Sequence, residues 1–265
     1  MTRKCLVVAA LIVASAGSAL PMALNTRPAD AAEVTVISAV AVKSALDDLA
    51  ANFERNTGDK VTISYAVAGE VIKRVQAGES ADVTILPKPR MDELVQQGKL
   101  LAGSTVNFAS AAVGVAVRAG AAKPDISSAD SLKRSLLAAR SISYADPAKG
   151  GVSGIHFARV LERLGIADEM KPKTKLSQSL EAPPWYLAAR GEVEIAVAMV
   201  SEILPVGGID FVGPLPPELQ NKADFVYVAG ILATAKQPSA GKALIQFISG
   251  PAAGPVVKSK GLEPG

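Results

Sequence analysis

Residues 75–86 read VQAGESADVTIL and contain the end of a predicted helix followed directly by a predicted strand. The helix runs from Glu70 to Ala77 and stops at Gly78, because glycine is favoured just past a helix C-terminus. The β-rich run Val83–Leu86 then predicts a buried strand. A helix that leads straight into a strand is the repeating unit of α/β folds.

The same alternation extends in both directions from this stretch. The pattern predicts strands at 34–38 and 61–65 around a helix at 46–53 that ends at Gly58, a helix at 91–97, then helices at 129–138, 153–164, 183–189 and 239–248 among strands at 111–117, 141–144, 194–198, 209–212 and 225–233. The fold class is therefore predicted to be α/β, with two lobes, each a mainly parallel sheet flanked by helices. The predicted lobes comprise residues 32–109 with 226–265, and residues 110–225.

The composition is that of a globular protein. Of the 265 residues, 49% are hydrophobic and 20% are charged, which excludes a disordered chain. The formal net charge is +3, from 28 basic and 25 acidic residues that are interspersed along the chain. Because no basic stripe is present to follow a phosphate backbone, nucleic acid is not an expected partner.

The amino terminus carries the pattern of a secretory signal peptide over residues 1–31. Arg3 and Lys4 precede an uncharged run from Cys5 to Leu24, and Ala29-Asp30-Ala31 has the small-x-small form of a cleavage site. An uncleaved membrane anchor is the alternative, since a run of this length nearly spans a bilayer. Cleavage would remove the only Cys, which suits an oxidising periplasm and predicts a periplasmic protein.

The side chains available for chemistry exclude most catalytic and metal sites. His156 is the only His and the mature chain has no Cys, so no zinc site is expected. The stretch Gly151-Val-Ser-Gly-Ile155 lacks the last Gly of a nucleophile elbow, and His156 follows its Ser too closely to act as base. Asp82 and Asp146 are expected to cap backbone amides at strand ends. We therefore predict no enzyme activity, no cofactor and no metal.

Three predicted strand-to-helix junctions are rich in small residues. They are Ser38–Val42, Ala66–Gly69 and Gly150–Gly154. Small residues let a ligand approach the free amides at helix N-termini, which favour anions. Open α/β sheets bind ligands at the carboxyl ends of their strands, so these junctions are the predicted binding site.

Several segments resemble the periplasmic molybdate-binding proteins of ABC importers. They are 34–39, 53–58, 75–83 with its Ala77-Gly-x-x-Ala-Asp-Val83 motif, 91–94, 146–147, 154–155 and 161–165. The resemblance implies a type II periplasmic binding fold, in which crossover segments join two lobes. It also implies a solute held between the lobes and an ABC permease in the inner membrane as partner.

The ligand positions that the resemblance implies are altered in this chain. Two serine hydroxyls of the family correspond to Ala41 and Ala68, and a tyrosine hydroxyl corresponds to Met199. Ser153 matches a backbone-amide contact, and Leu180 matches a loop contact. The full set of candidate ligand-binding residues is Ser38, Ala39, Ala41, Ala68, Gly69, Ser153, Leu180, Met199 and Ser201.

These substitutions change the expected ligand. Ser38, Ser153 or Ser201 would supply substitute hydroxyls, whereas Glu70 beside the second junction disfavours a dianion. Each hydrogen bond missing from a buried oxyanion costs about 1–3 kcal/mol. We expect a small anion, either a molybdate- or tungstate-like oxyanion or a small carboxylate, with molybdate bound weakly or not at all.

The predicted function is capture of this anion by a periplasmic solute-binding protein, expected to be a monomer, for delivery to the permease. A LysR-type effector domain shares the fold class but would begin with a helix-turn-helix. An enzyme on the same scaffold, such as hydroxymethylbilane synthase, needs a Cys for its cofactor. A surface adhesin that reuses the fold is the third alternative.

Overall fold

Two β-sheets organise residues 31–265, the part of the chain that this computed structural model describes. Apart from Ala31, the predicted signal peptide lies outside the described residues. Within residues 31–265, no helix is both long enough and apolar enough to cross a membrane.

Strands and helices alternate strictly in the first part of the chain. They are β1 (Glu33–Ala39), α1 (Lys43–Thr57), β2 (Lys60–Ala66), α2 (Ala68–Gln76), β3 (Val83–Pro87), α3 (Lys88–Gln96) and β4 (Val106–Ser110). Helix α1 buries Leu46, Leu49 and Phe53, which follow the helical spacing. It ends at Gly58, whose φ of 82° is left-handed, as the sequence predicts.

The remaining elements are shorter and less regular. They are β5 (Val113–Arg118), α4 (Ala129–Ala138), β6 (Ile142–Ala145), α5 (Val152–Arg163), α6 (Ala167–Met170), β7 (Thr174–Ser177), α7 (Pro184–Ala189), β8 (Ile195–Met199), α8 (Val200–Ile203), β9 (Ile209–Pro214), β10 (Val226–Ile231), α9 (Pro238–Ser249), α10 (Gly254–Ser259) and β11 (Glu263–Pro264). The sequence pattern did not predict β7, β11, α6, α8 or α10, which all have six residues or fewer, and it predicted β4 only as a crossover strand near residues 108–110.

The strand order of the two sheets confirms the two-lobed α/β fold. The first sheet has the order β11-β4-β10-β3-β1-β2, and the second has the order β7-β6-β8-β5-β9. Strands of the first sheet come from residues 33–110 and 226–264, and those of the second from residues 113–214. The exact lobe boundaries stay a prediction.

Each sheet is mixed, although the sequence predicted mainly parallel sheets. β10 runs antiparallel to β3 and β4, and β5 runs antiparallel to β8 and β9. The chain crosses between the sheets just before each of these reversed strands. β10 enters the first sheet at the edge where β4 ends, and β5 enters the second sheet at the edge where β9 ends. Each entering strand therefore runs antiparallel to its neighbours.

The Asp82 carboxylate connects three separate parts of the first sheet. It accepts hydrogen bonds from the amide and the hydroxyl of Thr35 in β1, both at 2.8 Å. It also accepts from the amides of Lys236 and Gln237, which precede α9, at 2.8 and 2.7 Å. The expectation that Asp82 caps backbone amides is confirmed, as it is for Asp146, which accepts from the amide of Ala148 at 2.9 Å.

These hydrogen bonds set the ionisation of Asp82, which is only 2% exposed. Burial acts to raise the pKa of Asp82, but the hydrogen bonds from Thr35, Gln237 and Lys236 outweigh burial and hold the pKa below its ordinary value. A carboxyl whose pKa is lowered by folding stabilises the fold above its unfolded pKa. That stabilisation is lost as the pH falls through the folded pKa.

We expect Asp82→Ala to lower the free energy of unfolding by about 3 kcal/mol at neutral pH, because several buried donors lose their acceptor. Urea titration monitored by circular dichroism measures the loss. The difference from the wild type should shrink as the pH falls, since Asp82 then becomes protonated in the wild type. Asp92→Ala is the control, because Asp92 forms only an exposed pair with Lys88 and should cost less than about 1 kcal/mol. Equal losses in both variants would contradict the assignment.

Candidate ligand-binding site

A cavity of about 700 Å³ lies where strands of both sheets end. The carboxyl ends of β1, β6 and β8 contribute Ala39, Ala145 and Met199 to its wall. The first turns of α2 and α5 also line it. The cavity therefore lies at the crevice position that open α/β sheets use for ligands.

Six of the nine predicted binding residues line this cavity. They are Ala39, Ala41, Ala68, Ser153, Leu180 and Met199. Their contact with a ligand stays a prediction. Ser38, Gly69 and Ser201 do not belong to the cavity wall, and each has another contact that explains its position.

The hydroxyls of Ser38 and Ser201 are directed to protein carbonyls. Ser38 Oγ donates to the oxygen of Ala39 at 3.1 Å, and Ser201 Oγ donates to the oxygen of Ala41 at 2.6 Å. The second bond joins α8 to the turn before α1 and so connects the two lobes. The structure thus differs from the expectation that either hydroxyl faces the ligand, because both are buried and already paired.

Ser153 is the remaining candidate hydroxyl of the three. It is the second residue of α5 and is 6% exposed, with its exposed part at the cavity. No hydrogen bond joins its side chain to another residue in the range 31–265. The free amides of the first turn of α5 lie beside it, so a ligand oxygen can find both kinds of donor here.

Gly69 brings the loops of the two lobes into contact. Its amide donates to the carbonyl oxygen of Gly150 at 3.3 Å, and a Cβ built on Gly69 would lie 2.8 Å from the Cα of Gly150. Gly150 itself has a left-handed φ of 78°. Only glycine permits two backbones to approach this closely, so Gly69 shapes the edge of the cavity through its backbone.

Glu202 and Tyr227 also line the cavity, although neither is among the binding residues predicted from the sequence. Glu202 is the third residue of α8, one position beyond the predicted Ser201, and Tyr227 belongs to β10. Burial raises the pKa of Glu202 to about 7, and the amide of Met199 offsets part of the rise. Glutamate at this position of a helix commonly reaches back to the N-cap amide. In the sequence, the only signal for Glu202 is its position shortly after the predicted strand at 194–198.

Tyr227 stands close enough to Glu202 for their charges to interact. Burial raises the pKa of the Tyr227 hydroxyl, and a negative charge on Glu202 raises it further. Tyr227 is 1% exposed, so its phenol is neutral and remains a hydrogen-bond donor. The cavity thus holds a carboxyl group and a phenol in a desolvated environment.

Lysines balance the carboxylates at the cavity edge. Lys73 and Lys149 line it, and neither forms a salt bridge with another residue of the described range 31–265. Lys43 also lines it but pairs with Asp47 at 2.6 Å. Glu70 contributes an exposed carboxylate to the same edge. The unpaired lysines favour an anion over a cation.

His156 lies outside the cavity wall. Its Nε2 donates to the carbonyl oxygen of Leu219 at 2.7 Å, and its ring packs edge-on against Phe225 at 5.0 Å. Burial lowers its pKa and outweighs the opposing effect of that hydrogen bond. His156 therefore acts as a packed polar group on α5, and it is not paired with Ser153.

The fold and its interlobe cavity define a type II periplasmic binding protein. The chain belongs to the bacterial extracellular solute-binding protein family, which matches residues 34–263. An aconitate isomerase from a Pseudomonas species is 30% identical over 237 residues, 87% of each chain. The molybdate-binding protein ModA of Escherichia coli is 24% identical over 255 residues, covering 96% of this chain and 94% of its own.

A solved structure shows the same fold. The periplasmic molybdate-binding protein of Azotobacter vinelandii matches with a TM-score of 0.73 and 21% identity, covering 86% of this chain and 98% of its own. The predicted relationship to molybdate-binding proteins is confirmed, as is membership of the solute-binding proteins of ABC transporters. The relatives carry different ligand names, so the ligand of this chain is not fixed by them.

We expect Gly69→Ala to hold the lobes apart. Its Cβ would meet the Gly150 backbone, which has no flexible side chain to move aside. Small-angle X-ray scattering should show a larger radius of gyration than that of the wild type. Gly207→Ala is the control, since no atom lies within 4 Å of its added Cβ. Identical scattering from wild type and Gly69→Ala would show that the close approach does not set the spacing of the lobes.

Proposed function

We propose that this protein captures a small organic carboxylate in the interlobe cavity and delivers it to an ABC permease in the inner membrane. The observation that carries the proposal is a cavity with carbon-rich walls and anion-binding groups at one side. Ala41, Ala68 and Met199 supply part of the carbon surface. Ser153 with the α5 amides, and the unpaired Lys73 and Lys149, supply the donors and positive charge.

The size of the cavity favours a carboxylate over a bare oxyanion. Sites for small organic molecules typically measure about 300–1,000 Å³, and the cavity here measures about 700 Å³. A compact tetrahedral dianion would fill little of this space and would meet apolar walls where it needs donors. A carbon skeleton with terminal carboxylates can contact the apolar wall and the donors at once.

The predicted signal peptide and the family support a periplasmic location. An uncharged run followed by Ala29-Asp30-Ala31 supports export and cleavage before the fold begins at β1. The proposed mature protein is a periplasmic monomer. Two crossover segments, residues 108–110 at the end of β4 and residues 225–227 at the start of β10, are the proposed hinges, and closure of the lobes about them would trap the solute.

Calorimetric titration tests the ligand. We expect one or more of succinate, citrate and trans-aconitate to bind far more tightly than molybdate or tungstate. Ser153→Ala should weaken the bound carboxylate about tenfold, the scale of one lost charge-assisted hydrogen bond. Ser80→Ala, an exposed serine away from the cavity, is the matched control. Submicromolar molybdate binding with no carboxylate binding would overturn the proposal.

A second function, isomerisation of bound aconitate, is favoured by two observations. The Pseudomonas relative that shares 30% identity is named an aconitate isomerase. In addition, the cavity contains Glu202, whose pKa is raised to about 7 by burial. A carboxyl with a pKa near the working pH can both take up and return a proton, as general acid–base chemistry requires.

Proton NMR of cis-aconitate incubated with purified protein tests this second function. Appearance of trans-aconitate that depends on protein concentration and is lost in Glu202→Gln is the expected result. Glu70→Gln, which removes an exposed carboxylate at the cavity edge, should retain the activity. An unchanged cis-aconitate spectrum under conditions where binding is measured would leave the capture function alone.

A further inference from the structure

Glu202 is a carboxyl group on the cavity wall without a cationic partner. It lines the cavity as the third residue of α8 and keeps part of its surface accessible there. No lysine, arginine or histidine forms a salt bridge with it within residues 31–265. Tyr227, a neutral phenol, is its ionisable neighbour. An isolated carboxylate in such a place is unfavourable unless a ligand or a proton neutralises it.

The other ionisable groups near α8 are engaged elsewhere. Helix α8 packs against α1, β5, β8, β9 and the turn at 40–42. On those elements, Lys43 pairs with Asp47, and Asp48 pairs with Lys260 at 2.8 Å. Asp210 accepts from the Gly120 amide at 2.9 Å.

Arg118 lies at the far end of β5 and is exposed. Around the cavity itself, the remaining ionisable groups are Tyr65, Glu70, Lys73, Asp146 and Lys149. None of these groups contributes to the raised pKa of Glu202, for which burial is the cause.

We propose that Glu202 enters the ligand complex in its acid form and donates a hydrogen bond to a carboxylate oxygen of the ligand. The inference rests on the proposed capture of a small carboxylate. It makes Glu202 a specificity-determining residue and makes ligand capture a joint binding of an anion and a proton. Tyr227 beside it offers a second neutral donor to the same ligand group.

The chemistry of this pairing is specific. A carboxyl O–H that donates to a carboxylate forms a short, charge-assisted hydrogen bond, whereas two carboxylates at that distance repel each other. The bound anion therefore favours the protonated form of Glu202. The protonated form in turn favours an anionic ligand over an ammonium group, which would require ionised Glu202.

Thermodynamic linkage fixes the direction of the pH effect. Below about pH 7 Glu202 already carries the proton, so affinity is high and changes little. Above that pH the free protein must take up a proton to bind, and affinity falls by up to about tenfold per pH unit. The sign would be opposite if ionised Glu202 held a cation.

The test is calorimetric titration of the full mature protein with trans-aconitate and succinate at about pH 6, 7 and 8. At pH 8 it is repeated in buffers of different ionisation enthalpy, which reports the number of protons taken up. We expect affinity to fall about tenfold from pH 6 to pH 8, with nearly one proton taken up per ligand at pH 8. Glu202→Gln keeps a donor but cannot titrate, so its affinity should be nearly constant. Glu162→Gln, which removes an exposed carboxylate outside the cavity wall, should keep the wild-type slope.

Any other result contradicts either the role of Glu202 or the proposed function itself. A pH-independent wild-type affinity without proton uptake would overturn the role of Glu202 and leave carboxylate capture standing. So would a wild-type slope that persists in Glu202→Gln. Affinity that rises with pH would show that these carboxylates bind more tightly once Glu202 has lost its proton and would overturn the inference. If neither ligand binds at pH 6 and no other carboxylate does, the proposed function itself fails. Should Glu202→Gln not fold, proton uptake by the wild type decides alone.

Discussion

The hydrogen bonds of Asp82 hold together the part of the chain on which the rest of the structure depends. Asp82 immediately precedes β3, and its carboxylate accepts from β1 and from the segment that follows β10. Its backbone makes the same connections, since its amide donates to Thr35 and its carbonyl accepts from Leu232. Residues separated by more than 150 positions are thereby fixed side by side. The end of the returning strand β10, which pairs with β3 from Tyr227 to Ile231, is held here.

The position of β10 determines the cavity. β10 enters the first sheet from the interlobe edge and runs against β3, with Tyr227 opposite Pro87. This reversed entry brings Tyr227 to the cavity wall and near Glu202 of the other lobe. The reversed strand β5 has the same role in the second sheet. The chain crosses between the lobes twice, and the strands next to β5 and β10 end at the crevice. A strand that starts at the crevice must run against them, which explains the mixed strand directions.

The sequence predicts what depends on local pattern. Strand β1, helix α5 and the glycine stop after α1 follow from apolar spacing and from the backbone freedom of glycine. The short strand β7 and the four-residue helix α8 have too few residues for a periodicity and form through tertiary pairing. At the site, small residues at strand ends located the cavity. The pairing of the Ser38 and Ser201 hydroxyls with carbonyls depends on side-chain directions that no pattern contains. The environment of Glu202 likewise arises only when both lobes surround it.

In the proposed function, the altered ligand positions and the proton held by Glu202 have one physical cause. The resemblance to molybdate-binding proteins implies that Ala41, Ala68 and Met199 stand where that family has hydroxyls for its oxyanion. Hydroxyl dipoles in a cavity stabilise any negative charge there, whether it belongs to a ligand or to a side chain. Removing them makes the cavity less favourable for a compact dianion and, equally, for ionised Glu202. Under the proposed function, a wall with apolar residues at these three positions would favour ligands with carbon surface and would also keep a proton on Glu202, so that ligand preference and proton affinity would change together.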